Sequence, residues 1–127
     1  KAIRFASSSD FIEMKNQVLK LLKNLDSMDI ASIIDTIKEF STHKNDINDY
    51  LDLMLLWYRD VLMFKVTKDA NLLLYSDEYS AISEQATKRD YENIENIIAA
   101  IDKAKVRLKA NVNFDVTIEL MILAMKD

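Results

Sequence analysis

Neither glycine nor proline occurs anywhere in the 127 residues of this chain. Average usage would supply roughly fifteen of the two together. Glycine provides the positive φ of tight turns, and proline stiffens loops. A fold built from β-hairpins depends on both. The sequence therefore points to an all-α chain of about five to six helices, joined by short polar loops. Half of the residues are apolar, enough for a real core in a single domain of this length.

Helical spacing then places the elements. Asp10 and Glu13 have capping-box spacing, and Phe11, Met14, Val18, Leu21, Leu22 and Leu25 follow on one side of a first helix. A second helix runs from Ser27 or Asp29 to about Phe40, with Ile30, Ile33, Ile34, Ile37 and Phe40 inward. STHKND reads as a loop, and a third helix extends from about Asp46 to Val66. TKDANLLLYSDEY reads as a loop with one short helical turn, and Ser80–Lys88 as a short helix. Asp90 caps a long helix with Tyr91, Ile94, Ile97, Ile98, Ile101, Ala104 and Leu108 inward, ending near Ala110. Asn111 tolerates the left-handed conformation that ends helices where glycine is missing. Asn113 then caps a last helix, Phe114–Lys126.

Two helices carry more apolar surface than one side needs. In the third, residues from Tyr50 to Phe64, Trp57 and Tyr58 among them, cover an arc of roughly 200°, about twice the minimum for a helix packed on one side. Asn48, Asp52 and Arg59 share its narrow polar edge. Asp60 points among Leu56, Trp57, Met63 and Phe64, where a carboxylate is costly unless paired; its partner is expected from another helix or another chain. The last helix is apolar around most of its axis, with Asp115, Glu119 and Lys126 on a polar strip. Two such helices read as a central pair, or as faces completed by association. The third helix is no membrane span, because Asp52, Arg59 and Asp60 interrupt it.

Catalytic chemistry is scarce. Without cysteine there is no disulfide, thiol nucleophile or thiolate metal site. His43 is the only histidine and reads as a solvated loop residue, so no His cluster exists for a metal. Phosphate-cradling loops need glycine. Asp46 with Asp49, and Asp77 with Glu78, read as solvated helix termini; Tyr75 and Tyr79 read as packing residues. A net charge of −4 disfavours nucleic acid, and Lys88-Arg89 is too short for a phosphate patch. No cofactor and no small-molecule substrate are expected. The remaining classes are an oligomerisation domain, a stand-alone helical adaptor and, as a distant third, a small enzyme.

WYRD at Trp57–Asp60, followed by KVTKDANLLLY, resembles the C-terminal region of bacterial DNA polymerase III delta prime subunits. So does IDKAKVRLKANVNFDVTIELMILAM, where Arg107, Leu108, Asn111, Asn113, Glu119 and Leu120 match the family pattern. KAIRFA resembles the end of an AAA+ lid. The resemblance implies that residues 1–9 close an AAA+ lid module and that residues 10–127 form a helical collar domain. It implies a cytoplasmic clamp loader subunit whose collar associates with gamma/tau and delta, with no catalysis in this domain, inside a complex that is a DNA-directed DNA polymerase, a nucleotidyltransferase. The related gamma/tau collar is the alternative. Trp57, Tyr58, Arg59, Asp60, Arg107, Asn111, Asn113 and Glu119 are the candidate interface or packing residues.

Overall fold

The computed structural model describes residues 8–126, with side chains from residue 11 onward. Six helices follow in order: α1 Ser8–Asn24, α2 Ile30–Ser41, α3 Ile47–Thr67, α4 Tyr79–Lys88, α5 Tyr91–Lys109 and α6 Phe114–Lys126. Short 3-10 turns occur at Leu25–Ser27, Lys44–Asp46, Ala70–Leu72 and Ser76–Glu78. No strand occurs among the described residues.

The caps show how helices begin and end without glycine or proline. Asp29 accepts the Ser32 N–H at 2.8 Å, and Asp90 accepts that of Asn93 at 2.8 Å. Each satisfies a donor that the first turn leaves open. α3 ends on Lys68 at φ 58° and α5 just before Asn111 at φ 63°. At the second site Asn111 N–H donates to the Leu108 carbonyl at 3.1 Å and Val112 N–H to that of Arg107 at 3.0 Å, the paired bonds of a Schellman ending. Asn113 then caps α6 by accepting the Val116 N–H at 3.0 Å. α1 starts at Ser8, two residues ahead of the expected start at Asp10.

α3 is the organising helix. It packs against α4, α5 and α1, while α6 packs against α5 and α2. The expected central pair of α3 and α6 is therefore not formed; α5 is the neighbour they share. Ten residues of α3 are buried, including Tyr50, Leu51, Met54, Trp57, Tyr58 and Val61. They meet Val18 and Leu22 of α1, Ile82 of α4, and Ile94, Ile97 and Ile101 of α5 in one core. Asp52 receives Lys105 of α5 at 2.5 Å, so it pairs across helices.

Three other expectations change. Ile30, Ile34 and Tyr91 are exposed, because α2 and α5 turn narrower faces inward than their apolar spacing allows. His43 is half-buried, and its ring stacks on Tyr50 with centroids 5.6 Å apart. The segment between α3 and α4 contains two 3-10 turns, and it is fastened to α3 as described next.

Candidate association surfaces

Asp60 is completely buried. Its carboxylate accepts the Leu74 N–H at 3.0 Å and the Tyr75 N–H at 2.7 Å. The expected partner helix or chain is thus replaced by the backbone of the α3–α4 connector. Hydrogen bonds to an ionised acceptor are the strong kind, and they offset the cost of burying the charge. Tyr75 adds two more fastenings. Its hydroxyl donates to the Leu53 carbonyl at 2.9 Å, and its ring meets Trp57 edge-on with centroids 5.5 Å apart. Along this segment Leu73 and Tyr75 point in, while Leu72 and Leu74 stay exposed.

The candidate residues fall into three places. Trp57, Tyr58 and Asp60 lie inside the core, fully covered within the chain. Arg107, Asn111 and Asn113 build the α5–α6 corner, Arg107 through its carbonyl. Arg59 and Glu119 are exposed, on α3 and α6. The structure does not bring these eight into one site. Among the described residues no group of three or more His, Cys, Asp or Glu is placed to hold a metal. No helix among the described residues is long and apolar enough to cross a membrane.

The exposed apolar residues do form a pattern. On α6, Thr117, Ile118, Met121, Ile122 and Met125 are buried. At about 100° per residue, Val116, Leu120 and Leu123 lie on the opposite side. They remain 48%, 45% and 43% exposed. A helix covering one side of a domain normally turns polar residues there. Beside this stripe stand Asp115 and Glu119, also exposed. α2 runs antiparallel along α6: Lys126 Nζ donates to the Met28 carbonyl at 2.6 Å at one end, and Lys44 Nζ lies 5.3 Å from the Phe114 ring centroid at the other. One flank of α2, with Ser32, Asp35, Thr36 and Glu39, borders a cleft against α1. Away from that cleft, Ile30 and Ile34 are exposed.

A second, more covered strip lies on α3, where Asp52 and Arg59 share its outer edge and Lys105 of α5 reaches Asp52. Leu55, Leu56, Leu62 and Met63 are half-buried there, and Val66 is exposed. Arg59 stands in their midst with half of its side chain exposed. Its guanidinium is 3.6 Å from Asp60 Oδ1, an oxygen that already accepts the Leu74 N–H. The sequence signal for both faces was the excess width of the apolar arcs. The exposed Leu72 and Leu74 had no periodic signal, because the connector holds only 3-10 turns of three residues and no α-helix.

This all-helical domain matches the family model described as DNA polymerase III, delta subunit, C terminal, over residues 9–126. The chain belongs to that family. It is also 28% identical over 130 residues to the DNA polymerase III subunit delta' of Bacillus subtilis (strain 168), a match covering all of this chain and 39% of that protein. The chain thus spans about two-fifths of the length of the curated relative it matches. The resemblance carried by the WYRD and NVN segments and the family match agree. No solved structure gives a significant match.

Proposed function

We propose that this chain is a collar domain: the C-terminal oligomerisation module of a delta prime-type clamp loader subunit, acting in the cytoplasm during DNA replication. It is read as non-catalytic and free of cofactor, and residues 1–9 as the end of an AAA+ lid. Its partners on this reading are the collar domains of gamma/tau and delta. The observation that carries it is the presence of two apolar strips short of full cover, one half-exposed on α6 and one on α3 that the bundle covers further. A domain set side by side in a ring needs two such faces, one for each neighbour. A domain that dimerises once needs a single one.

Magnitudes agree with this role. Fully burying a large aliphatic side chain gains about 1.5–3 kcal/mol. Three half-exposed side chains on α6 therefore offer about 3 kcal/mol, and association costs at least about 4 kcal/mol in lost freedom. One face alone makes a weak pair; several faces closing together make a stable ring.

The test mixes this chain with gamma/tau and delta collar domains and measures mass by light scattering on a sizing column. A mixed complex is expected, and Leu120→Asp is expected to weaken it. No mixed complex at high concentration, beside a stable homodimer of this chain, would overturn the reading in favour of a stand-alone adaptor.

A further inference from the structure

The outer side of α6 carries charge of one sign only. Its exposed residues are Asp115, Val116, Glu119, Leu120, Leu123 and Ala124. At about 100° per residue, Leu123, Val116, Leu120 and Ala124 form one strip, and Asp115 and Glu119 line a single edge of it. Asp115 sits in the first turn, where the helix dipole favours an anion. Glu119 lies one turn further on, without that support. Among the described residues neither carboxylate forms an ion pair. The helix has one cation, Lys126, and its ammonium is turned back onto the Leu25 and Met28 carbonyls at 3.3 and 2.6 Å. A second α6 supplies no countercharge in either orientation. An antiparallel pair sets the two acidic edges side by side, and a parallel pair sets each against the uncharged Ala124 edge.

We infer that the occupant of the α6 strip is an amphipathic helix of a different chain, apolar on the side it turns to Val116, Leu120 and Leu123, with Lys or Arg at i and i+4 along the edge it turns to Asp115 and Glu119. This rests on the collar reading, and it states the chemistry of the surface that a neighbouring collar domain presents there. Asp115 and Glu119 are four residues apart, so they match a basic pair of the same spacing on the partner. Apolar burial holds the two helices together. The charges choose the neighbour and fix its register, because like charges at an interface discriminate against wrong contacts.

The test titrates the full chain with the gamma/tau and delta collar domains. It also uses two synthetic helical peptides that share one leucine stripe and carry either lysine or glutamate along its edge. The variants are the double substitution Asp115→Lys with Glu119→Lys, then Leu120→Asp, and Glu92→Lys as a control on α5. All four positions are exposed, and urea midpoints check that each variant keeps its core. The expected result is a complex with a sister collar domain that the double substitution weakens about tenfold at low salt and less at high salt. Leu120→Asp weakens it at any salt, and Glu92→Lys leaves it unchanged. The lysine-edged peptide binds, the glutamate-edged one does not, and the same variants remove the binding. If Leu120→Asp weakens the complex while the charge reversal leaves it unchanged or tightens it, the partner's edge is not basic; the inference falls and the collar reading stands. A complex indifferent to Leu120→Asp is made elsewhere on the domain and overturns the inference as well. So does a homodimer of the unmixed chain that Leu120→Asp disperses, since the occupant is then a second copy. If both sister domains are ignored, the collar reading falls and the peptides decide the inference. Binding of the lysine-edged peptide that needs both Leu120 and the carboxylates upholds it; no binding, or binding indifferent to those variants, overturns it.

Discussion

Asp60 holds Tyr75 by a 2.7 Å hydrogen bond to its backbone N–H, across fifteen residues of chain. With the Leu74 N–H at 3.0 Å, the carboxylate acts as an internal cap for two donors that lie between the 3-10 turns of the connector. Asp60→Ala leaves two donors without their acceptor. The expected loss is about 3 kcal/mol, measured by urea denaturation, with a smaller loss for Asp60→Asn, which keeps one acceptor oxygen. Amide exchange at Leu74 and Tyr75 should quicken in both variants. An unchanged midpoint for Asp60→Ala would show that the connector is held by Tyr75 alone.

Trp57 and Tyr58 are neighbours in sequence and equally buried, but they predict opposite outcomes. Trp57→Ala opens a cavity under Tyr75 and should cost about 3–5 kcal/mol. Among the described residues Tyr58 Oη is buried without a hydrogen-bond partner, so its hydroxyl is a burden on the fold. Tyr58→Phe keeps the ring and should be neutral or stabilising by up to about 1 kcal/mol. Thermal denaturation of the two variants side by side decides the point; a large loss for Tyr58→Phe would contradict this view of its hydroxyl.

Lys68 adopts φ 58° to end α3, its N–H donating to the Phe64 carbonyl at 2.8 Å. A residue with a Cβ pays roughly 1–2 kcal/mol for that conformation. Lys68→Gly should relieve most of it and raise stability by about 0.5–1 kcal/mol after the added freedom of the unfolded chain. Asn111→Gly, at φ 63°, should gain less, because asparagine tolerates this region better. Equal gains at both sites would argue against a side-chain difference.

Alkaline pH should unfold the domain early. Burial pushes the Tyr50 hydroxyl up to about 12, helped by Glu13, Asp46 and Glu39 nearby. Burial also raises Tyr58, against an opposing effect of Arg89, and raises Tyr75, where Asp60 adds to the shift. In each case the fold favours the protonated phenol. Above pH 10, the ordinary tyrosine value, the unfolded chain loses these protons while the folded one keeps them. The folded state then binds more protons, so stability is complete below pH 10 and falls as pH rises toward 12 and beyond. Urea midpoints from pH 8 to 11.5, with phenolate absorbance, would show the decline; Tyr50→Phe should flatten its first part.

Most of the helical architecture was legible locally. The 3.6-residue spacing located α1 to α6 within a few residues, and Asp29, Asp90, Asn111 and Asn113 marked ends through interactions spanning three or four residues. The outer limits of burial were not legible. Ile30 and Ile34 have the same spacing as Ile33 and Ile37, yet they are exposed because α6 and α1 flank α2 only along part of its circumference. Nor did the sequence distinguish the apolar excess of α3, which the bundle largely covers, from that of α6, which stays half open.

The chain alone determined that it folds as helices, because with no glycine or proline the cheapest way to satisfy backbone donors and acceptors is within each helix, where partners lie four residues apart. Only the tertiary structure decided which residues finally hold which. Asp60 finds Leu74 and Tyr75 fourteen and fifteen residues away, and the α6 stripe faces outward, because both outcomes depend on how whole helices stack and not on any local repeat.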